Sequence, residues 1–253
     1  MSTNGRIHGI RLKIERAKKH IRDLDASIKA FAKNKPYRIG AKPHRVPAIH
    51  HTTLYVAELT PVPDEIVLII GDAIHNLRSS LDYLMWQLVE SGGGTPNKSI
   101  YFPVCNTPQQ YKSAIGNGEI QKVAPEALDI VGSVQPYVTL DQTLWLLHEL
   151  DIIDKHRLLL TVAAAMDKWG VELSVNATLT FDQYRFVPLR VGHEITNIPT
   201  STYERHADED FHLGLDIAFG ESEVADGELV LYTLTKMTDL VEGIVTSFER
   251  FLI

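Results

Sequence analysis

Residues 4–33 read NGRIHGIRLKIERAKKHIRDLDASIKAFAK, and their periodicity decides what kind of fold this chain adopts. Ile7, Ile10, Ile14, Ala17, Ile21, Leu24, Ile28 and Phe31 follow one another at spacings of 3, 4, 3, 4, 3, 4 and 3 residues. That is a heptad seam with isoleucine at its a positions, and it predicts one helix roughly 40–45 Å long. The breaker Asn34-Lys35-Pro36 ends it.

The flanks of the seam are basic. Arg6, Lys13 and His20 occupy g positions, and Arg11, Lys18 and Asp25 occupy e positions. In a parallel or antiparallel self-pair these flanks set like charge mostly against like charge, so a homodimer through this seam alone is not expected. Residues 1–45 carry 13 Lys/Arg against 3 acids, while the remainder carries 12 against 29, within a net charge of −7. A helix of charge opposite to the body is expected to dock on that body, against the C-terminal heptad helix for example. Its outer face (Arg16, Lys19, Arg22, Lys29), continued by Lys33, Lys35, Arg38, Lys42 and Arg45, is the candidate surface for RNA or another polyanion.

The 253 residues, 44% hydrophobic and 23% charged, fit a globular chain able to bury a core without disulfides. The lone Cys105 excludes a disulfide framework and a multi-cysteine zinc site, and points to a reducing cytoplasm. No apolar run approaches membrane-span length, and no signal-type apolar stretch opens the chain.

Outward from the first helix, 35–48 reads as a Pro-rich connector and 50–59 as a strand. Residues 64–90 form a second helix closed by Ser91-Gly92-Gly93-Gly94. Residues 99–104 suggest an edge strand, 107–115 and 125–131 short helices, and 141–168 a third long helix. The runs ELSVNATLTF, QYRFVPLRV, FHLGLDIAF and ELVLYTL between 171 and 232 suggest an antiparallel hairpin or meander. A fourth helix, 234–252, repeats the heptad spacing through Leu234, Met237, Val241, Ile244, Phe248 and Phe251. The expectation is an α+β single domain: a bundle of four long helices with an antiparallel β-insertion.

The second and third helices carry polar stripes. His75, Arg78 and Asp82 fall at i, i+3 and i+7 beside the apolar face Ile70, Ile74, Leu77, Leu81, Leu84 and Leu88. His148, Asp151 and Lys155 repeat that spacing, with Asp154 beside them and His156 and Arg157 directed toward the apolar side. Arg78 is expected to meet Asp151 or Asp154, and Asp82 to meet Lys155, His156 or Arg157.

Such stripes form a buried ion-pair network that fixes helix register, an acid/base cluster acting on a phosphodiester, a metal site, or a ligand- or partner-binding groove without chemistry. The metal option rests on Asp72-x-x-His75, with His148, Asp151 and His156 as further ligands, and is opposed by Arg78, Lys155 and Arg157.

The string G-D-x-x-H-N-L-R-S-S-L-D-x-L-x-W-x-L from Gly71 to Leu88 resembles a family of bacterial and phage-borne proteins that has no assigned activity. Phe102-Pro103, Gln135-Pro136-Tyr137 and the run Asp151-x-x-Asp154-Lys155-His156-Arg157 extend the likeness over residues 50–165. The helical layout is also similar to the HEPN class of nucleic-acid-associated bundles, many of them metal-independent, dimeric ribonucleases.

The HEPN motif is Arg followed after four to six residues by His, and that spacing occurs here at Arg38…His44 and Arg45…His50, both in the Pro-rich connector. On the helices, Asp154-Lys155-His156-Arg157 stands in its place. The polar stripes and the basic N-terminal segment point to a nucleic-acid-directed effector using His75, Arg78, Asp82, Asp154, His156 and Arg157, and the fold-level resemblance implies a ribonuclease type without metal or cofactor. The alternatives are a non-catalytic interaction protein held by its ion pairs, and a metal-binding bundle.

Overall fold

The computed structural model describes residues 3–46, 50–116, 118–138, 141–173, 177–182, 187–205, 211–221 and 223–252. The elements in order are α1 (Thr3–Lys33), β1 (Tyr37–Pro43), β2 (His51–Leu59), α2 (Asp64–Ser91), α3 (Pro108–Ile115), α4 (Pro125–Ser133), α5 (Thr143–His156), β3 (Thr161–Leu173), β4 (Ala177–Asp182), β5 (Val187–Pro188), β6 (Glu194–Pro199), α6 (Thr200–Arg205), β7 (Phe211–Phe219) and α7 (Val230–Phe248). The class is α+β. The chain folds as two compact units that interleave along the sequence: a helical one from 1–25, 67–159 and 230–253, and a β-rich one from 26–66 and 160–229.

In the helical unit the seam of α1 is covered. Ile10, Ile14, Ala17 and Leu24 are buried, as are Ile70, Ala73, Ile74, Leu77, Leu81, Leu84 and Leu88 on α2 and Leu234, Met237, Val241, Ile244 and Phe248 on α7. The flanks that oppose self-pairing find complementary partners instead. On the e side, Arg11 pairs with Glu249, and Lys18 with Glu242 at 2.5 Å. Seven residues forward on α1 thus match seven back near the C-terminus, which sets α1 and α7 antiparallel.

On the g side, Arg6 donates to Ser91 at 2.8 Å and Lys13 to Ser79 at 3.1 Å, so α2 also runs antiparallel to α1. Gly9 is needed there, because a Cβ would overlap the Tyr83 ring.

In the β-rich unit, β1, β2 and β6 form one antiparallel sheet in the order β1-β2-β6. The long strand β3 pairs antiparallel with β4, β5 and β7 in the other. Leu54, Val56, Leu189, Ile198 and Leu213 make its core, flanked by Tyr37, Ile39 and Leu215.

Four expectations are corrected. The helix read over 141–168 ends at His156, and the chain turns extended at Arg157 (φ −161°, ψ 162°). Leu158, Leu159 and Leu160 are 48%, 2% and 55% exposed, the period of two of an extended chain, and β3 follows. The long helices among the described residues are therefore three, α1, α2 and α7, rather than four.

The Pro-rich connector contains β1, whose Tyr37 and Ile39 pack on the core, so the sheet draws on segments before α2 and is not a single insertion. Of ELVLYTL, Val230 onward opens α7 instead of a strand, and Leu229 makes an isolated bridge to Ala218: Val230, Thr233, Leu234 and Met237 are buried at helical spacing while Tyr232 is exposed. Residues 99–104 form no strand, and only Cys105 bridges to Tyr137. The hairpin expectation holds for β3 and β4, while 174–176 and 183–186 of those runs lie outside the described residues. No helix among the described residues is long and apolar enough to cross a membrane.

Candidate functional site

The stripes of α2 and α5 face each other. The helices approach closely at Gly71, where a Cβ would overlap the Asp154 carboxylate. Arg78 sits at the centre, 3% exposed, with every guanidinium nitrogen engaged. Its Nε donates to His148 Nδ1 at 3.2 Å, one terminal nitrogen to Asp82 Oδ1 at 2.5 Å, and the other to the Phe102 carbonyl at 2.9 Å. The Phe102 N–H returns to Asp82 Oδ1 at 2.9 Å. A planar fork with donors on three sides suits this arrangement, and a lysine does not.

The expected cross-pairs of Arg78 with Asp151 or Asp154, and of Asp82 with Lys155, His156 or Arg157, are not formed. Asp82 lies one helical turn from Arg78, and the 97–105 segment supplies the remaining partner from its main chain.

One turn away is a second assembly. His75 Nδ1 lies 3.0 Å from Asp151 Oδ1; the imidazole is 54% exposed and the carboxylate 2%. Lys155 donates to the other oxygen, Oδ2, of Asp151. A sealed carboxylate that holds one ring nitrogen leaves the other, Nε2, to face solvent.

Asp151 and Lys155 also line a cleft of about 630 Å³ together with Arg78, Asp82, His148 and Cys105. Its walls are Ile100, Phe102, Val104 and Ile120.

Burial and its neighbours set the charge states. His148 is pushed down to about 4, first by burial and then by the Arg78 charge, so its ring is neutral at ordinary pH. With Nδ1 accepting from Arg78, the ring proton resides on Nε2. Asp82 is raised by burial against the pull of Arg78. Asp154 is raised by burial and then by the charges of Asp151 and Asp72. Cys105 is raised by burial.

Of the catalytic candidates, the structure brings together His75, Arg78, Asp82 and Asp154. His156 and Arg157 are exposed, because α5 stops there and the chain leaves the stripe; the Arg157 guanidinium donates to the Leu158 carbonyl at 3.2 Å. They neither line the cleft nor point to an apolar side.

The strongest additions are Asp151, Lys155 and His148, which share the stripe but stand outside the catalytic set that the sequence suggests. The Phe102 main chain had only the Phe102-Pro103 dipeptide to signal it. Among the described residues no group of three or more His, Cys, Asp or Glu is placed to hold a metal ion.

Arg16, Lys19, Arg22, Lys29, Lys33 and Lys35 are all exposed, with Lys19 paired to Asp23 on its own helix. The two Arg-to-His spacings fall in the β-rich unit, where Arg38 pairs with Glu58 at 2.6 Å and Arg45 with Glu194 at 2.9 Å. No protein family, curated protein or solved structure matches the chain.

Proposed function

We propose that the protein is a nucleic-acid-directed effector that cleaves RNA without a metal. The observation that carries this reading is the exposed His75 imidazole held by the sealed Asp151 carboxylate, with the Lys155 ammonium on the same carboxylate. His75 Nε2 takes the proton of a ribose 2′-hydroxyl, and the 2′-oxygen attacks phosphorus as the bond to the 5′-oxygen breaks. Lys155 stabilises the charge gathering on the non-bridging oxygens.

Asp154, raised by burial and neighbouring carboxylates, is the acid that protonates the departing 5′-oxygen. The products are a 2′,3′-cyclic phosphate and a 5′-hydroxyl. Arg78, buried and fully engaged, positions rather than reacts. The exposed cations of α1 draw in the polyanion.

The test is incubation of the protein with single-stranded RNA in EDTA. Cleavage leaving cyclic phosphate ends is the expected result. No cleavage, together with no binding at low salt, overturns the reading.

A second reading is favoured by the Arg78 hub: a non-catalytic interaction protein in which Arg78, held by Asp82 on its own helix, ties α2 to α5 through His148. It expects Arg78 to matter for stability and His75 to matter for nothing.

A further inference from the structure

The cleft has more built polarity than a proton-transfer site needs. Arg78 fixes two groups that face it. Asp82 spends Oδ1 on Arg78 and on the Phe102 N–H; among the described residues Oδ2 has no partner and is not sealed. His148 spends Nδ1 on Arg78; among the described residues Nε2 has no partner and is likewise not sealed. Both residues line the cleft.

Their polarities are opposite and fixed. Oδ2 of a carboxylate ion-paired to Arg78 accepts. Nε2 donates, since Nδ1 already accepts from an arginine that cannot lose its proton. Around this pair stand the apolar walls Ile100, Phe102 and Ile120, and at about 630 Å³ the cleft is within the size range of small-ligand sites. Lys155 adds a cation.

A fixed acceptor beside a fixed donor, between apolar walls and near a cation, matches one ligand class. We infer that the cleft is a nucleobase subsite, in which Asp82 Oδ2 accepts from a ring or amino N–H of an unpaired base while His148 Nε2–H donates to the adjacent carbonyl or ring nitrogen. The apolar walls hold the faces of the base, and Lys155 meets its phosphate. Single-stranded nucleic acid is read in this manner, by its base edges and faces. The inference rests on the proposed RNA reading for its biological setting; its acceptor and donor, Asp82 and His148, are not the His75–Asp151 dyad, although Asp151 and Lys155 line the same cleft.

The experiment is equilibrium binding of the four ribonucleoside 5′-monophosphates and of ribose 5-phosphate to the full-length chain, in EDTA, with no RNA present. At least one nucleotide is expected to bind ten-fold or more tighter than ribose 5-phosphate. Asp82→Asn keeps an acceptor for Arg78 and Phe102 but turns the free acceptor into a donor, so it is expected to lose that margin. Ala114→Trp narrows the cleft from a lining position outside the polar pair and is expected to lose it as well. If Asp82→Asn does not fold, Ala114→Trp alone decides.

Nucleotides that bind no tighter than ribose 5-phosphate overturn the subsite, as does full affinity in a folded Ala114→Trp. Nucleotide binding without RNA cleavage sinks the ribonuclease reading and leaves the subsite. Cleavage without base-dependent binding does the reverse.

Discussion

Replacing Arg78 with alanine removes the hub on which the α2–α5 face is built. The guanidinium is 3% exposed, and its loss strands a half-buried carboxylate on Asp82, the Phe102 carbonyl and the His148 ring nitrogen. Breaking a buried pair from one side costs roughly 3–5 kcal/mol. Asp82 retains 24% exposure, which draws its share toward the lower end, while the orphaned carbonyl adds about 1 kcal/mol. The expected loss is therefore about 3–5 kcal/mol.

Urea denaturation reads it as a midpoint lowered by roughly 1–2 M with the slope unchanged. Adding Asp82→Ala to Arg78→Ala removes the stranded charge, and about 1–2 kcal/mol is expected to return. A single-variant loss below about 1 kcal/mol, or no recovery in the double variant, refutes the hub.

His148 gives the stability a pH dependence. Its folded-state value, about 4, lies below the ordinary 6.5, so the unfolded chain binds the extra proton first and stability falls as pH drops from 6.5 towards 4, by at most about 3 kcal/mol. Asp82 and Asp154 are shifted upward and act in the opposite sense, so the comparison is wild type against His148→Gln across that window; parallel curves contradict the assignment.

Gly71→Ala pushes the Asp154 carboxylate aside while favouring the helix by up to about 1 kcal/mol, so RNA cleavage is expected to fall with stability retained or raised. Equal activity in that variant argues against Asp154 as the acid. Reversing Arg16 and Arg22 to glutamate is expected to weaken RNA binding and flatten its log–log salt dependence by roughly 0.7 for each phosphate no longer neutralised; an unchanged slope removes α1 from the interface.

The sequence shows where α1 goes through the signs of its flanks. Arg11 and Lys18 repel a second copy for the same reason that they seek Glu249 and Glu242. The stripes of α2 and α5 were equally legible, because spacing of 3 and 4 residues puts side chains on one face whatever the partner.

Which stripe residue pairs with which was not legible. Asp82 satisfies Arg78 from its own helix, and the third partner is a main-chain carbonyl that carries no residue signature. The end of α5 is hidden in the sequence because Leu158 to Met166 is apolar but for Thr161, and a short apolar run fits a buried helix as well as a strand. That error also misplaced His156 and Arg157, which a continued helix carries on its side and an ended one leaves exposed.

The proposed chemistry turns on His75. Its ring is exposed, so His75→Ala leaves the buried hub intact and is expected to stay folded. The direct measurement is the rate of RNA cleavage in EDTA by wild type and His75→Ala at matched stability. A loss of roughly 10²–10⁴-fold is the expected result, the usual contribution of a positioned general base. Cleavage at the wild-type rate by a folded His75→Ala protein contradicts the claim that the dyad performs the chemistry.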